Sequence, residues 1–368
     1  TGNVNGLAIT TTATGNIGLG ATAVDSITTG DYNVGLGLNA LTATTEGSRN
    51  IAIGAFALVA NTTGNNNSVL GMSAMETNST GANNVAVGWE AMKRNTTASN
   101  NTALGYNSLS ANTTGADSVA IGAYALDANT TAANGTAVGR NALSANTTGA
   151  SNTGLGSHAL VANTTGAENV AVGVNALAAN TTASNNVAVG KSALTTNTTG
   201  TENTAVGKSA MNNNIGGDYN TALGKSALYT NTSADNNTAI GNSALTANST
   251  GANNTAVGSA ALYANTTGAS NTAVGKSAMA ANTTGSGTAI GYEALVTNIT
   301  GGDNVAVGVH ALRYNTTGGS NTAIGQNSLD ANTTASNNTA VGRHALGANS
   351  TGANNVAIGS LTLDAATT

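Results

Sequence analysis

Apolar and polar positions in this chain follow one short cycle. A triplet such as Thr255-Ala256-Val257 is preceded by Asn254 and closed by Gly258, and that closing glycine recurs from Gly20 to Gly359 in 21 copies. The step is 17 residues throughout except between Gly275 and Gly291, where one residue is missing in Thr-Gly-Ser-Gly-Thr. A period this strict marks a stacked-repeat architecture rather than several globular domains.

Within a repeat, the residue two before the glycine is Ala in 17 of 21 copies, the exceptions being Gly18, Gly35, Val69 and Gly154. Its neighbours are aliphatic or β-branched: Val, Ile or Leu after it, and mostly Thr or Val before it. Alternation of this kind over a short segment predicts a strand. Four residues past the glycine stands Leu or Met in 20 copies, with Val24 as the exception, usually with Ala before it. The residue after it varies freely (Glu76, Lys93, Asp127, Tyr229, Arg313), as a solvent-facing position does. A second short strand, Ala-Leu-x-Ala, is therefore expected, followed by a turn rich in Asn, Thr and Gly.

Each strand is too short to pair within its own repeat, so it pairs with its copy in the next. The prediction is an all-β fold, a parallel β-solenoid or β-roll of about 21 coils with two short strands per coil. With coils ~4.8 Å apart, such a rod is on the order of 100 Å long. A short N-terminal lead-in over residues 1–15 precedes the continuous repeat of residues 16–368. Val257 and Leu262 are expected to form apolar ladders down a thin core, beside the Ala256 and Gly258 ladders. Asn precedes the first strand in 18 copies (Asn84, Asn101, Asn254, Asn271) and follows the second in 18 (Asn265 among them). Stacked amides that bond one another and nearby backbone account for both ladders. If Val257 and Thr255 face one way, Ala256 faces the other, and its constant small size implies close packing. The packing partner is either the opposite side of the same coil or another chain about a common axis.

Composition narrows the field. Charged residues make up 7% of the chain, with 48 glycines, no proline and no cysteine. The lack of proline suits a chain in which nearly every residue donates a backbone hydrogen bond to a neighbouring coil. Without cysteine there is neither a disulfide framework nor a thiolate metal site. A net charge of −5 offers nothing to nucleic acid or an anionic membrane. No apolar run approaches the ~20 residues needed to span a bilayer. Both ends fall close to the repeat, which gives the expectation of a mature or partial chain whose export signal, anchor or terminal domains lie outside it.

The unit Asn-Thr-Ala-Val-Gly-x-x-Ala-Leu-x-x-Asn-Thr-Thr-Gly resembles two related groups. Asn-Val-Ala-Ile-Gly (Asn355 to Gly359) and Ser-Val-Ala-Ile-Gly (Ser118 to Gly122) resemble the head repeats of YadA-type trimeric autotransporter adhesins. The longer 17-residue unit is similar to repeats of bacterial and phage tail-fibre-like proteins. The resemblance implies a left-handed β-roll, assembly as a homotrimer, and a place outside the cell, on its surface or on a virion.

Candidate chemistry is sparse. His158, His310 and His344 sit on the variable Gly-x-x turn, where other coils carry Ser, Asn or Glu, and read as surface decoration rather than as members of a triad. No zinc spacing and no calcium-loop motif occurs, so no cofactor or metal is expected. Lys191, Lys208 and Lys225 occupy one position on successive coils, with Glu202 as partial relief. They form either a solvated stripe or a contact for an anionic glycan or lipid head group. Asn-x-Thr/Ser recurs in 17 copies, including Asn61, Asn112, Asn265 and Asn332, which makes each a formal N-glycosylation site. With no differentiated catalytic cluster, the expected role is a non-enzymatic extracellular fibre or adhesin shaft. Its partners are other copies of itself, end to end or side by side, and a host-cell, matrix or glycan surface. A phage tail fibre is the alternative. An ice-binding solenoid is a further one, with its Thr ladder interrupted at Val85, Val119, Val170, Val187 and Val305.

Overall fold

The computed structural model of the chain describes residues 2–4, 7–9 and 14–367, in two compact units, Thr1–Asn185 and Asn186–Thr368. Each unit is a parallel β-solenoid, and no helix occurs among the described residues. The first contains coils closed by Gly20 to Gly173, and the second contains coils closed by Gly190 to Gly359. The lead-in expected over residues 1–15 lies partly outside the described residues. Its described part is an antiparallel pair, Gly2–Val4 with Leu7–Ile9.

Every coil contributes one strand, bonded in register to its copy one repeat away. Thr255, Ala256 and Val257 face Thr272, Ala273 and Val274. Thr255 N–H donates to the Asn271 carbonyl at 2.8 Å, and Gly258 N–H donates back to the Ile240 carbonyl at 2.7 Å. Strands of three residues cannot persist alone, but inside each unit a strand such as Thr255–Val257 is fixed on both flanks by the coils above and below.

The second expected strand, Ala-Leu-x-Ala, is not one. In Gly258-Ser259-Ala260-Ala261-Leu262, Ala260 and Leu262 have φ of 56° and 49°, in the left-handed region. The segment is a train of tight turns: Ala261 N–H reaches the Gly258 carbonyl at 3.2 Å and Asn265 N–H the Leu262 carbonyl at 3.2 Å. It still pairs with its neighbours, since Leu262 N–H donates to the Ala278 carbonyl at 3.0 Å and Ala260 N–H to the Asn242 carbonyl at 3.0 Å. Turn bonds and coil-to-coil bonds thus share the backbone donors that a strand would have given to a ladder alone.

The core is built from small parts. Ala256, Ala261 and Leu262 are fully buried in their coil, with Asn254 and Asn265 beside them. Ala256 packs inward within its own chain, which resolves the choice left open by the sequence: at Gly154, which replaces this Ala, an added Cβ meets the Ala159 carbonyl oxygen of its own coil and Leu143 Cγ of the preceding one, each at 3.3 Å. The Val257 ladder, expected in the core, lies instead on the outer face together with Thr255, both half-exposed. Each coil therefore buries about one Leu side chain and several methyls, and stability accumulates coil by coil.

Gly258 is the one residue per coil that side chains cannot replace. Its φ is 134°, and a Cβ there would lie 2.5 Å from the Gly275 carbonyl oxygen. The turn glycine is different: Gly251 has no left-handed φ, and Ala98, Ala132, Ala183, Ala234 and Ala335 fill its place in other coils. The missing residue between Gly275 and Gly291 is absorbed in the turn. The strand there begins early, as Gly287–Ile290, and Thr272 still faces Thr288.

Candidate interaction surfaces

Three surfaces leave the column: the outer strand face, its charged margins, and the turns after the glycine. On the strand face, Val, Ile or Leu stands just before the glycine in every coil, and the structure turns all of them outward. Leu104, Leu155, Leu223 and Ile290 are 45%, 44%, 44% and 41% exposed. The companion outward position holds Thr or Val, with six consecutive threonines at Thr204, Thr221, Thr238, Thr255, Thr272 and Thr288. A stripe of this regularity exceeds the scattered apolar exposure of an ordinary monomer surface.

The two ends of this face differ in charge. Six of the ten cations directly follow the closing glycine: Arg140, Lys191, Lys208, Lys225, Lys276 and Arg343. Eight of the fifteen acids stand in the turn ahead of the strand, among them Glu202, Asp218 and Asp235. The segregation is visible only when the chain is written in register. Lys191, Lys208 and Lys225 are exposed and stacked on consecutive coils. Glu202, expected to relieve them, sits at the opposite end of the strand, and among the described residues no ion pair joins it to any of the three. Asp218 instead accepts from the Thr201 N–H at 2.6 Å.

The Asn ladders run inside. Asn254 Nδ2 donates to the Gly268 carbonyl at 2.9 Å, and its Oδ1 accepts from Asn271 N–H and Nδ2 at 3.0 Å each. Asn265 Nδ2 donates to the Gly268 carbonyl at 2.9 Å and to Asn248 Oδ1 at 3.0 Å. Asn84 and Asn101 continue the first ladder, Asn101 N–H bonding Asn84 Oδ1 at 2.9 Å. Asn61, Asn112 and Asn332 continue the second, all fully buried with Nδ2 engaged. Near the C-terminal end this ladder lapses, leaving Asn332 Oδ1 and Asn349 Oδ1 unpaired. The same amide nitrogens that carry the glycosylation signature are thus spent on the fold.

The histidines all occupy left-handed backbone, with φ of 58°, 59° and 56° at His158, His310 and His344. This position two past the glycine favours Asn, Ser and His for the same conformational reason. His158 and His344 meet the amides of Asn141 and Asn327 at 3.2 and 3.3 Å. His310 lies 3.5 Å from Glu293, outside hydrogen-bond geometry, while Arg313 pairs with Glu293 at 2.9 Å. Burial pushes the nearby Asp330 carboxyl above its usual range, against the pull of Arg313, His310 and His344. Among the described residues no three metal-ligating side chains converge, and no helix is long and apolar enough to cross a membrane.

No family model matches the chain, and no curated protein matches it.

Proposed function

We propose that the chain is a self-associating structural fibre of a cell or virion surface, a non-enzymatic spacer assembled as a homotrimer through its outer strand face. The observation that carries this reading is the outward Val/Ile/Leu stripe, repeated in every coil of both units. A second copy of the chain is the occupant that fits it, because an apolar ladder with one coil spacing meets an identical ladder rung for rung. The basic and acidic margins favour a cyclic arrangement, in which the acidic end of one copy abuts the basic end of the next.

Sedimentation analysis of the native chain tests this. The expected mass is three times the 35.4 kDa of the monomer. Replacing Val206, Val257 and Val274 with Glu is expected to give monomers with an unchanged circular dichroism spectrum, since these positions lie outside the core. A native chain that sediments as a monomer at micromolar concentration overturns the reading.

One observation favours a second reading. The six consecutive outward threonines from Thr204 to Thr288, each two residues from an outward aliphatic, form an in-register two-dimensional array of the kind that can order water as ice does. Thermal hysteresis in the native chain, lost in Thr238→Lys and Thr255→Lys, is the expected sign of that activity; its absence at high concentration removes the reading.

A further inference from the structure

The repeat supplies its own control for each side chain. Where twenty other coils build the same backbone, a residue type confined to one or two coils is not required by the fold. The single Trp of the chain, Trp89, and its only adjacent pair of cations, Lys93 and Arg94, fall in one coil. Other coils carry Ser, as at Ser259, where Trp89 stands.

Each has a neighbour in the next coil. The rings of Trp89 and Tyr106 stack with centroids 4.9 Å apart and planes at 19°, and Tyr124 closes edge-on at 5.2 Å from Tyr106. A centroid distance of this size means an offset stack, so part of each ring face stays uncovered, and the two rings are 36% and 44% exposed. Glu90 and Asn107, which directly follow Trp89 and Tyr106 in the chain, line a cavity of about 250 Å³ together with Lys93, Arg94, Ser110 and Ala111. Glu90 is held by Lys93 at 2.6 Å, and Lys93 reaches Glu76 at 3.8 Å. Asn107 Oδ1 is buried with no hydrogen-bond partner. Arg94 is exposed, and among the described residues no carboxylate meets it.

We propose that this patch is a saccharide-binding site, selective for a sugar that carries a carboxylate. The uncovered aromatic faces take the C–H face of a pyranose ring, the Ser110 hydroxyl meets one of its hydroxyls, and the Arg94 guanidinium takes the carboxylate as a fork. A peptide strand has no edge to join here, because the backbone is already spent between coils, as in the Asn107 N–H bond to the Trp89 carbonyl at 3.0 Å. Nucleic acid is disfavoured by two carboxylates in the patch and a net charge of −5. The site stands on local geometry and does not depend on the fibre reading.

Because Trp89 is the only tryptophan, emission excited selectively at tryptophan, past the absorption of the tyrosines, reports on this patch alone. Titration with tetragalacturonic acid is expected to give a saturable change in emission, with neutral cellotetraose binding at least about tenfold more weakly. Arg94→Ala is expected to bring the acidic probe down to the neutral level, and Tyr106→Ser to weaken both. By calorimetry Trp89→Ser abolishes binding while its circular dichroism stays native, as expected for a residue that other coils already carry. Lys208→Ala, in a coil of the other unit, changes nothing. Absence of a saturable response to either probe at millimolar concentration overturns the site, as does equal binding by Trp89→Ser. Equal affinity for the two probes overturns the carboxylate assignment.

Discussion

Asn254 and Asn265 aim their side-chain amides at a single acceptor, the Gly268 carbonyl, each at 2.9 Å. One amide comes from the start of the strand and the other from the turn, so the coil is closed by its own side chains. Asn265→Ala removes a donor to Gly268, where Asn254 remains, and the only partner of Asn248 Oδ1. The expected loss is about 1–3 kcal/mol, the cost of one buried acceptor left unpaired. Asn265→Asp is expected to be worse, since it sets a carboxylate against two oxygens. Urea unfolding followed by circular dichroism ranks the three chains.

Leu262 sits at φ 49°, where a β-branched side chain is strained and one unbranched at Cβ is tolerated. Leu262→Met is expected to cost under about 1.5 kcal/mol, consistent with Met75, Met92, Met211 and Met279 at the same position. Leu262→Val adds about 1–3 kcal/mol of backbone strain to its lost volume. If the two variants unfold at the same urea concentration, the left-handed turn is not what selects the residue.

Gly258 and Gly251 make a matched pair. Gly258→Ala places Cβ 2.5 Å from a carbonyl oxygen at a φ of 134° and is expected to melt the surrounding coils. Gly251→Ala also sets Cβ close against a carbonyl oxygen, that of Gly268, but at a φ open to any residue and at a place where five coils already carry Ala, so it is expected to cost less. Thermal unfolding and hydrogen exchange of the two variants separate the cases.

Burial raises the Asp127 carboxyl above its ordinary value, with the N–H groups of Asp127 and Ala128 opposing that shift. The folded chain then holds the proton more tightly than the unfolded chain, so this group lowers stability as pH rises through the raised value. Asp127→Asn is therefore expected to unfold at a higher temperature than the native chain at neutral pH. The advantage vanishes below the ordinary carboxyl range, where both side chains are neutral. A constant difference across pH contradicts the assignment.

Buried Nδ2 atoms leave no room for a glycan at Asn61, Asn112, Asn265 or Asn332. Folded chain exposed to an N-glycosylating extract is expected to keep the unmodified mass of 35.4 kDa, while urea-unfolded chain is modified.

Much of the fold was legible because one period governs it. The parallel in-register pairing followed from strands too short to pair internally, and Asn254 and Asn265 were recognisable as ladders from their constancy. The failures share one cause. Alternation shows that Ala256 and Val257 face opposite ways but not which way is in, and apolarity pointed to Val257. The core is too thin for a second large side chain beside Leu262, so Ala goes in and Val goes out. The strand assigned to Ala-Leu-x-Ala carried a warning in its residue choice: the true strand uses Val, Ile and Thr, whereas the Leu262 position excludes β-branched residues except at Val24. The Trp89 patch was overlooked because its members lie a coil apart and converge only after winding.

The shortened interval between Gly275 and Gly291 has a consequence for how such a chain changes over generations. Its lost residue is taken up within a single bend, and the neighbours Thr272 and Thr288 remain opposite one another. Errors of length are healed where they arise instead of being passed along. Duplication or excision of whole windings by recombination then becomes a tolerable accident, and reach can be tuned by copy number while each winding keeps its shape.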